Sequence, residues 1–453
     1  VTLLGAVIPG SGFLYARRWV LGLVVLGATV AALGLATWWV GLDLRSALEL
    51  ATDPSRLTSA AGVLSGVLVL WACLVYLTYR QVRPERRPRS HTVLGHLFVL
   101  VLCLALGAPV AVTARYAVVQ ADLVETVFED NASATMPTQA TVEDPWAGQE
   151  RVNVLLLGSD GSETRSGVRT DTVILVSVAT DTGRTTMLSL PRNMMNAQFP
   201  EGSPLHELYP SGYSGYEDPA FYMLNAVYGQ IPERHPGVLG ASTDEGADAI
   251  KQAVEGSLGL PVDYYVMVNL LGFRQVVDAI GGITVNVNQP VAIQGDTDRG
   301  IPPTGYIEPG PDQHLDGFHA LWFARGRWGS NDYERMERQR CTVAAIIEAA
   351  DPTTLVRRYT ALASAGKDIV STDIPRHLLP AFVELGLRMK GAKLKSVVFE
   401  SSDRFFSGDP DFAWMRETAA NAIDPPPRDA RPRSDPGRPQ DTADQCAYQP
   451  TSG

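Results

Sequence analysis

The sequence predicts an α/β domain carried behind a membrane anchor, and three observations lead there. Long uncharged apolar runs are confined to roughly the first 115 of 453 residues. Beyond them, short β-branched runs such as Val152–Leu157 and Val173–Val178 are bounded by Gly, Ser, Thr and Asp. Between those runs lie segments whose apolar residues recur every three or four positions, the spacing of a half-buried helix.

In the anchor, assigned to 1–114, Val20–Val40, Ala60–Tyr79 and Val93–Thr113 are each long and apolar enough to span a bilayer. Leu3–Tyr15 reads as a partial apolar segment of open topology. Arg17 and Arg18 flank the first span, and Arg80, Arg83, Arg86, Arg87 and Arg89 face a lone Glu85 between the second and third. Positive flanks stay cytoplasmic, so the third span leads out and the rest of the chain is expected to be extracytoplasmic, on a multi-pass membrane protein. Residues 115–150 start as an incomplete amphipathic helix, then turn polar with Pro137 and Pro145, the character of a stalk.

The external domain is assigned to 151–423. Val152–Leu157, Val173–Val178 and Thr185–Leu190 are its first strands, and Asp244–Leu258 is a helix stopped by Gly259. Tyr264–Val268, Phe273–Ile280 and Ile283–Val287 read as strand, helix, strand. Gly295–Gln313 is a polar loop, a long helix runs to about Ala350, and a strand lies near Ser396–Glu400. Asn196–Tyr222, rich in Pro, Gly and Tyr, is either a lid or substrate loop, or a surface loop packed by its own tyrosines. The tail, 424–453, is rich in Pro, Arg and Asp up to Asp444 and is expected to be disordered or loosely draped.

Candidate chemistry gathers at the ends of these elements. Asp160 leaves one strand and Asp171 enters the next, with Arg169 alongside; together the carboxylates suit a hard cation such as Mg²⁺. Each Asp also has an ordinary reading, as a turn former before Gly161 or a strand cap. Arg192 closes the third strand. With Ala320–Arg327 extended, Arg325 and Arg327 share one strand face, and Arg335, Arg338 and Gln339 line the following helix near Asp332. In a chain of net charge -11, such clustered guanidinium forks point to phosphate or carboxylate. The competing reading is a solvated helix face with pairs such as Glu334–Arg338.

An oxidising exterior permits disulfides, and Cys341–Cys446 is the one pairing open to the external domain, since Cys73 and Cys103 fall in spans; two free thiols are the competing reading. The acidic chain lacks a long basic face, which disfavours nucleic acid. GxxxxGK[ST], HExxH, GxSxG and Cys/His zinc spacings are absent.

The ordered set Leu155-Leu156-Leu157-Gly158-Ser159-Asp160, Arg169-Thr170-Asp171-Thr172, Ser189-Leu190-Pro191-Arg192, Val277-Asp278-Ala279-Ile280-Gly281-Gly282, Leu315-Asp316-Gly317-Phe318-His319-Ala320-Leu321-Trp322, Arg325-Gly326-Arg327 and Asp332 to Gln339 resembles the LytR-CpsA-Psr family. The resemblance implies a central mixed sheet flanked by helices. It implies a membrane-anchored phosphotransferase that moves a glycopolymer from a polyprenyl-pyrophosphate carrier to peptidoglycan through a phosphodiester. Alternatives are a polyprenyl-pyrophosphate phosphatase or pyrophosphatase, and a regulator that binds the lipid precursor without turnover. By the same resemblance Asp160 and Asp171 match Mg²⁺-associated carboxylates. Arg169, Arg192, Arg325 and Arg327 match pyrophosphate contacts, and Asp332, Arg335 and Gln339 match further pocket positions. The chain departs from the family at Asn193, where Asp is frequent, and at Met223-Leu224-Asn225-Ala226, where many members have Lys-Ile-Asn-His.

Overall fold

The computed structural model describes residues 2–40, 51–82, 89–128, 133–137, 139–159, 168–295, 300–349, 370–425 and 437–449. The chain divides into two compact units, Val1–Thr126 and Val127–Gly453.

The first unit is helical: α1 (Thr2–Val7), α2 (Ser11–Tyr15), α3 (Trp19–Val40), α4 (Pro54–Val82) and α5 (Arg89–Val127). By length and composition, α4 and the Ser90–Thr126 part of α5 are able to cross a membrane. The partial segment at Leu3–Tyr15 is two short helices, and the Trp71 indole donates to Ala6 O at 2.8 Å from α4. Val75, Tyr79, Val99 and Leu102 bury one another between α4 and α5. Residues 115–127, expected as the start of a separate stalk, continue α5 without a break.

The second unit is built on a seven-stranded mixed sheet. Its strands are β1 (Arg151–Ser159), β2 (Thr170–Ala179), β3 (Thr185–Leu190), β4 (Tyr264–Asn269), β9 (Val370–Thr372), β10 (Leu394–Val398) and β11 (Gln440–Asp441), in spatial order 11-10-3-2-1-4-9. β2 is antiparallel to β1 and β3, while β4 runs parallel to β1 and β10 parallel to β3. β2 and β3 are central and buried on both faces, which is why they read as nearly continuous apolar runs. Two small antiparallel pairs stand apart, β5 (Ile283–Val287) with β8 (Gly310–Leu315) and β6 (Val291–Ile293) with β7 (Gly305–Ile307). Part of the expected polar loop, Gly295–Gln313, is therefore strand.

Helices α6 (Pro204–Leu208), α7 (Leu224–Arg234), α8 (Glu245–Leu258), α9 (Leu270–Ile280), α10 (Gly317–Arg325), α11 (Asp332–Ala349), α12 (Leu379–Met389), α13 (Phe412–Ile423) and α14 (Thr442–Gln445) complete the unit. Leu155, Leu175 and Leu188 of the sheet share one core with Val227 of α7, Ile250 and Val254 of α8 and Met415 of α13. Each fully buried aliphatic side chain contributes about 1.5–3 kcal/mol. Tyr213 and Tyr222 belong to the same core, so the Tyr-rich stretch is built into the domain by its own rings. A second cluster packs Val277 and Ile280 of α9 against Phe323 of α10 and Ala345 of α11.

The tail departs from expectation where it is described. Residues 437–449 are folded: β11 extends the sheet beside β10, and a Cys341–Cys446 disulfide ties the following turn to α11. Buried Arg340 donates to Ser396 Oγ at 2.9 Å and Gln445 Oε1 at 2.5 Å, while Asn286 Nδ2 donates to Cys446 O at 2.9 Å. A segment that reads as solvated by composition is thus held by one covalent bond and a polar network.

Strand direction decides where function can sit. The carboxyl ends of β1, β3, β4 and β10 and the amino ends of β2 and β9 all fall at one end of the sheet. Open α/β sheets bind ligands outside the carboxyl ends of their strands.

Candidate functional site

Ser159, the last described residue of β1, pairs with Thr170 of β2, which brings Arg169 and Asp171 to this end of the sheet. Arg192 follows β3 at the same end, and its Nη1 donates to Asp171 Oδ1 at 2.6 Å. Arg192 Nε also lies 3.6 Å from Asp332 Oδ1. Asp332 opens α11, whose start is fixed by a reciprocal capping box. Glu334 N donates to Asn331 Oδ1 at 2.9 Å, and Asn331 N donates to Glu334 Oε2 at 3.2 Å.

One turn on, Arg335 reaches back to Asp332 Oδ2 at 3.1 Å and to the Asp171 carbonyl at 3.3 Å. Two strand ends and a helix start, distant in sequence, therefore meet in one ionic cluster. Asp160, proposed from sequence for the same place, lies outside the described residues.

The electrostatics lean toward cations. Burial opposes ionisation of Asp171, but Arg192, Arg335 and Arg327 outweigh it and hold the carboxyl below its usual range. Desolvation pushes Arg335 down to about 10, with Asp332 and Asp171 opposing and Arg192 and Arg327 reinforcing; it remains charged at neutral pH. Its side chain is 3% exposed, yet its Nε has no acceptor among the described residues. A buried guanidinium with a spare donor is costly unless an acceptor arrives.

The arginine turn differs from its sequence reading. Ala320–Arg327 is not extended: α10 runs Gly317–Arg325, capped by Asp316, whose carboxylate accepts from His319 N at 2.9 Å. A contiguous apolar run such as Ala320–Phe323 has no period that separates strand from helix, and the cap decides. Arg325 and Arg327 consequently share no strand face. Arg325 ends the helix with its guanidinium 5.4 Å from the Trp322 ring centroid, whereas Arg327, past Gly326, is exposed and acts on Asp171 through space.

Arg338, grouped with the pocket from sequence, has another task. Its Nε donates to Phe323 O at 2.8 Å and its Nη2 donates to Gly326 O, so it caps the last carbonyls of α10 and holds the turn. Gln339 lies beyond it on α11, half-buried.

Sequence reasoning missed the other wall. Asn193 Nδ2 donates to Ser407 Oγ at 3.3 Å, and Met195 N donates to Ser407 O at 2.8 Å. Tyr333, beside Asp332, lies near enough to Ser407 and the Ser401 backbone to be influenced by them, and burial raises its phenol. Asn225 N donates to Arg192 O at 3.0 Å, so the start of α7 buttresses the arginine. No local motif joins Asn193 or Tyr333 to Ser407; the contact exists because β3 and β10 are neighbours.

Fold and site together define a mixed α/β protein with a cation-rich, partly buried ionic cluster at one end of its sheet. The LytR_cpsA_psr family model matches residues 117–420, and the chain belongs to that family. Biofilm regulatory protein A of Streptococcus mutans is 29% identical over 240 residues, 51% of this chain and 52% of that protein, so the chain spans about half of that relative's length. The polyisoprenyl-teichoic acid–peptidoglycan teichoic acid transferase TagU of Oceanobacillus iheyensis is 29% identical over 307 residues, 66% of this chain and 82% of that protein. The crystal structure of B. subtilis TagV is 23% identical and covers 61% of this chain and 99% of that chain, with a TM-score of 0.43.

Proposed function

We propose that the chain moves a glycopolymer from a polyprenyl-diphosphate carrier to peptidoglycan, forming a phosphodiester. The observation that carries this reading is Arg335, buried beside Asp171 and Asp332 with an unfilled donor. The family and the transferase name of one relative support it. A diphosphate oxygen would supply the acceptor that Nε lacks among the described residues; Arg169 and Arg192 stand at the same end of the sheet and Arg327 is near enough to act on Asp171, which supports the reading, and Arg325 is proposed as a further contact.

The acceptor hydroxyl attacks the phosphorus nearer the sugar. A new O–P bond forms as the anhydride P–O bond breaks, polyprenyl phosphate departs with the electron pair, and the hydroxyl proton is passed to that phosphate. Charge grows on the leaving group, where preorganised guanidinium groups stabilise it.

Mg²⁺ belongs to the proposal, and the residues present fit it. Asp171 is held ionised, one of its oxygens is on Arg192, and no hydrogen bond reaches the other among the described residues. The described residues contain no cluster of three acidic, His or Cys ligands, and Mg²⁺ needs only one or two carboxylates besides phosphate and water oxygens. Asp171, with Asp160, would hold it, and it would supply neutralisation of the leaving phosphate.

In the same proposal the anchor is multi-pass and the domain extracytoplasmic, a placement that the Cys341–Cys446 bridge supports. The test is full-length protein in lipid nanodiscs with saccharide-bearing polyprenyl diphosphate, peptidoglycan and Mg²⁺, read by mass spectrometry of digested wall fragments. A fragment carrying the saccharide through a phosphodiester is expected. Phosphorylated saccharide released without attachment would make water the acceptor, and tight lipid binding with no turnover would leave only a regulator.

A further inference from the structure

The loop after β10 carries the wall opposite the arginines. Phe399 N donates to Ser189 O at 3.2 Å, and Ser402 and Phe405 form a bridge that closes a tight hairpin. Phe405 is 2% exposed and packs its ring 6.0 Å from Phe399 and 6.3 Å from Trp414, anchoring the loop in the core. Ser407 is hydrogen-bonded to Asn193 and Met195 and lies near Tyr333. Between these two anchors, Phe406 is 62% exposed.

Phe406 is not a loose surface residue. A Cβ on Gly408 would fall 2.6 Å from its ring, so the ring is seated against the glycine backbone. Asp403 and Arg404, both exposed, stand on the same hairpin and offer an acceptor and a fork of donors. An exposed aromatic face seated beside a glycine, with polar groups near it, matches a pyranose, whose C–H face packs on a ring while its hydroxyls seek hydrogen bonds. Asn193 follows Arg192 directly and Phe406 precedes Ser407, so covalent geometry and the Asn193–Ser407 hydrogen bond keep Phe406 within roughly 17 Å of Arg192, Cα to Cα. A sugar joined directly to a diphosphate held by Arg192 lies within that reach.

We propose that Phe406, with Asp403 and Arg404, forms a carbohydrate subsite for the sugar attached to the lipid diphosphate. This rests on the diphosphate reading of the site. It makes the hairpin a determinant of which donor is accepted, separate from the arginines that hold phosphate.

The test compares binding of two probes to full-length protein in nanodiscs: geranylgeranyl diphosphate, and the same lipid diphosphate bearing one N-acetylglucosamine. In the parent protein the sugar-bearing probe binds more tightly. Phe406→Ala is expected to cut the ratio of the two affinities at least fivefold, Phe406→Trp to restore it, and Gly408→Val, which unseats the ring, to cut it without touching Phe406 itself. An unchanged ratio in Phe406→Ala and Gly408→Val overturns the subsite. A loss confined to the KM for peptidoglycan fragments during transfer also overturns it, by placing the acceptor there. Failure of Arg192→Ala to weaken geranylgeranyl diphosphate binding would instead defeat the diphosphate reading, and is read from the other probe.

Discussion

The two ends of the central sheet each carry buried charges, and they are wired differently. At the end away from the site, Lys251 is fully buried; its Nζ donates to Asp373 Oδ2 at 2.6 Å and to Asp263 O at 3.0 Å. The second oxygen of Asp373 accepts from Tyr265 N at 2.7 Å, and Asp263 Oδ2 accepts from Asn153 N at 2.7 Å. Each of these donors and acceptors has its partner in the protein. At the other end Arg335 is almost as buried, its Nε has no acceptor among the described residues, as is also true of Arg340 Nε in the tail network, and around Arg335 cations outnumber the described carboxylates. Burial of charge alone therefore does not mark function. The Lys251–Asp373 pairing welds β4, β9 and α8 together, whereas the excess of cations at the other end is what the proposed diphosphate would neutralise.

The largest test of that contrast is Lys251→Met. It strands Asp373 in the interior and is expected to cost about 3–5 kcal/mol of stability, measured by denaturant unfolding of the full chain. Arg335→Met should behave oppositely, abolishing most transfer while leaving the unfolding midpoint within a fraction of that loss. If both variants unfold alike, the distinction fails.

Next in size is the bridge. Cys341→Ser with Cys446→Ser removes a link between residues 105 apart in sequence and should lower stability by about 2–4 kcal/mol, seen as a lower melting temperature. Thiol labelling of unreduced protein should leave Cys341 and Cys446 unreacted.

Smaller again is Arg327→Ala, which loses a charge-assisted contact of about 1.5–3 kcal/mol, so transfer should fall at least tenfold with folding intact. Arg338→Ala should also reduce transfer, but through the turn it pins. Added guanidinium is expected to rescue Arg327→Ala more than Arg338→Ala.

The smallest effect is in pH, and it has opposite signs at the two ends. Asp171 has a depressed carboxyl, so the stability it adds is present above the unfolded value, near 3.8, and is lost as pH falls through the lower folded value. Asp171→Asn should therefore flatten the acid limb of the stability curve. Burial raises Asp373 despite Lys251, so its protonated form is favoured in the fold and its contribution weakens as pH rises through that raised value. Asp373→Asn should alter the curve in the reverse sense.

Much of this was legible without coordinates. Thr185–Leu190 and Ile283–Val287 coincide with β3 and β5, and Asp244 with Gly259 correctly bracket α8, because apolar period and caps act locally. The Cys341–Cys446 pair followed from compartment and cysteine count. The arginine turn was misread because Ala320–Phe323 satisfies either period, and the tail because composition does not register an edge strand. Arg338 and Arg335 look alike on a helical wheel; only the packing of α10 against α11 gives one to carbonyls and the other to carboxylates.

By itself, then, the sequence determined the local elements, the apolar anchor segments and the residue types able to hold a phosphate, since propensity, periodicity and charge act over a few residues. Which guanidinium joins the Asp171–Asp332 cluster, and which loop is hydrogen-bonded to Asn193 beside it, was decided by the order of strands in the sheet. Arg192, Asp332 and Ser407 become neighbours only when β2, β3 and β10 line up beside α11.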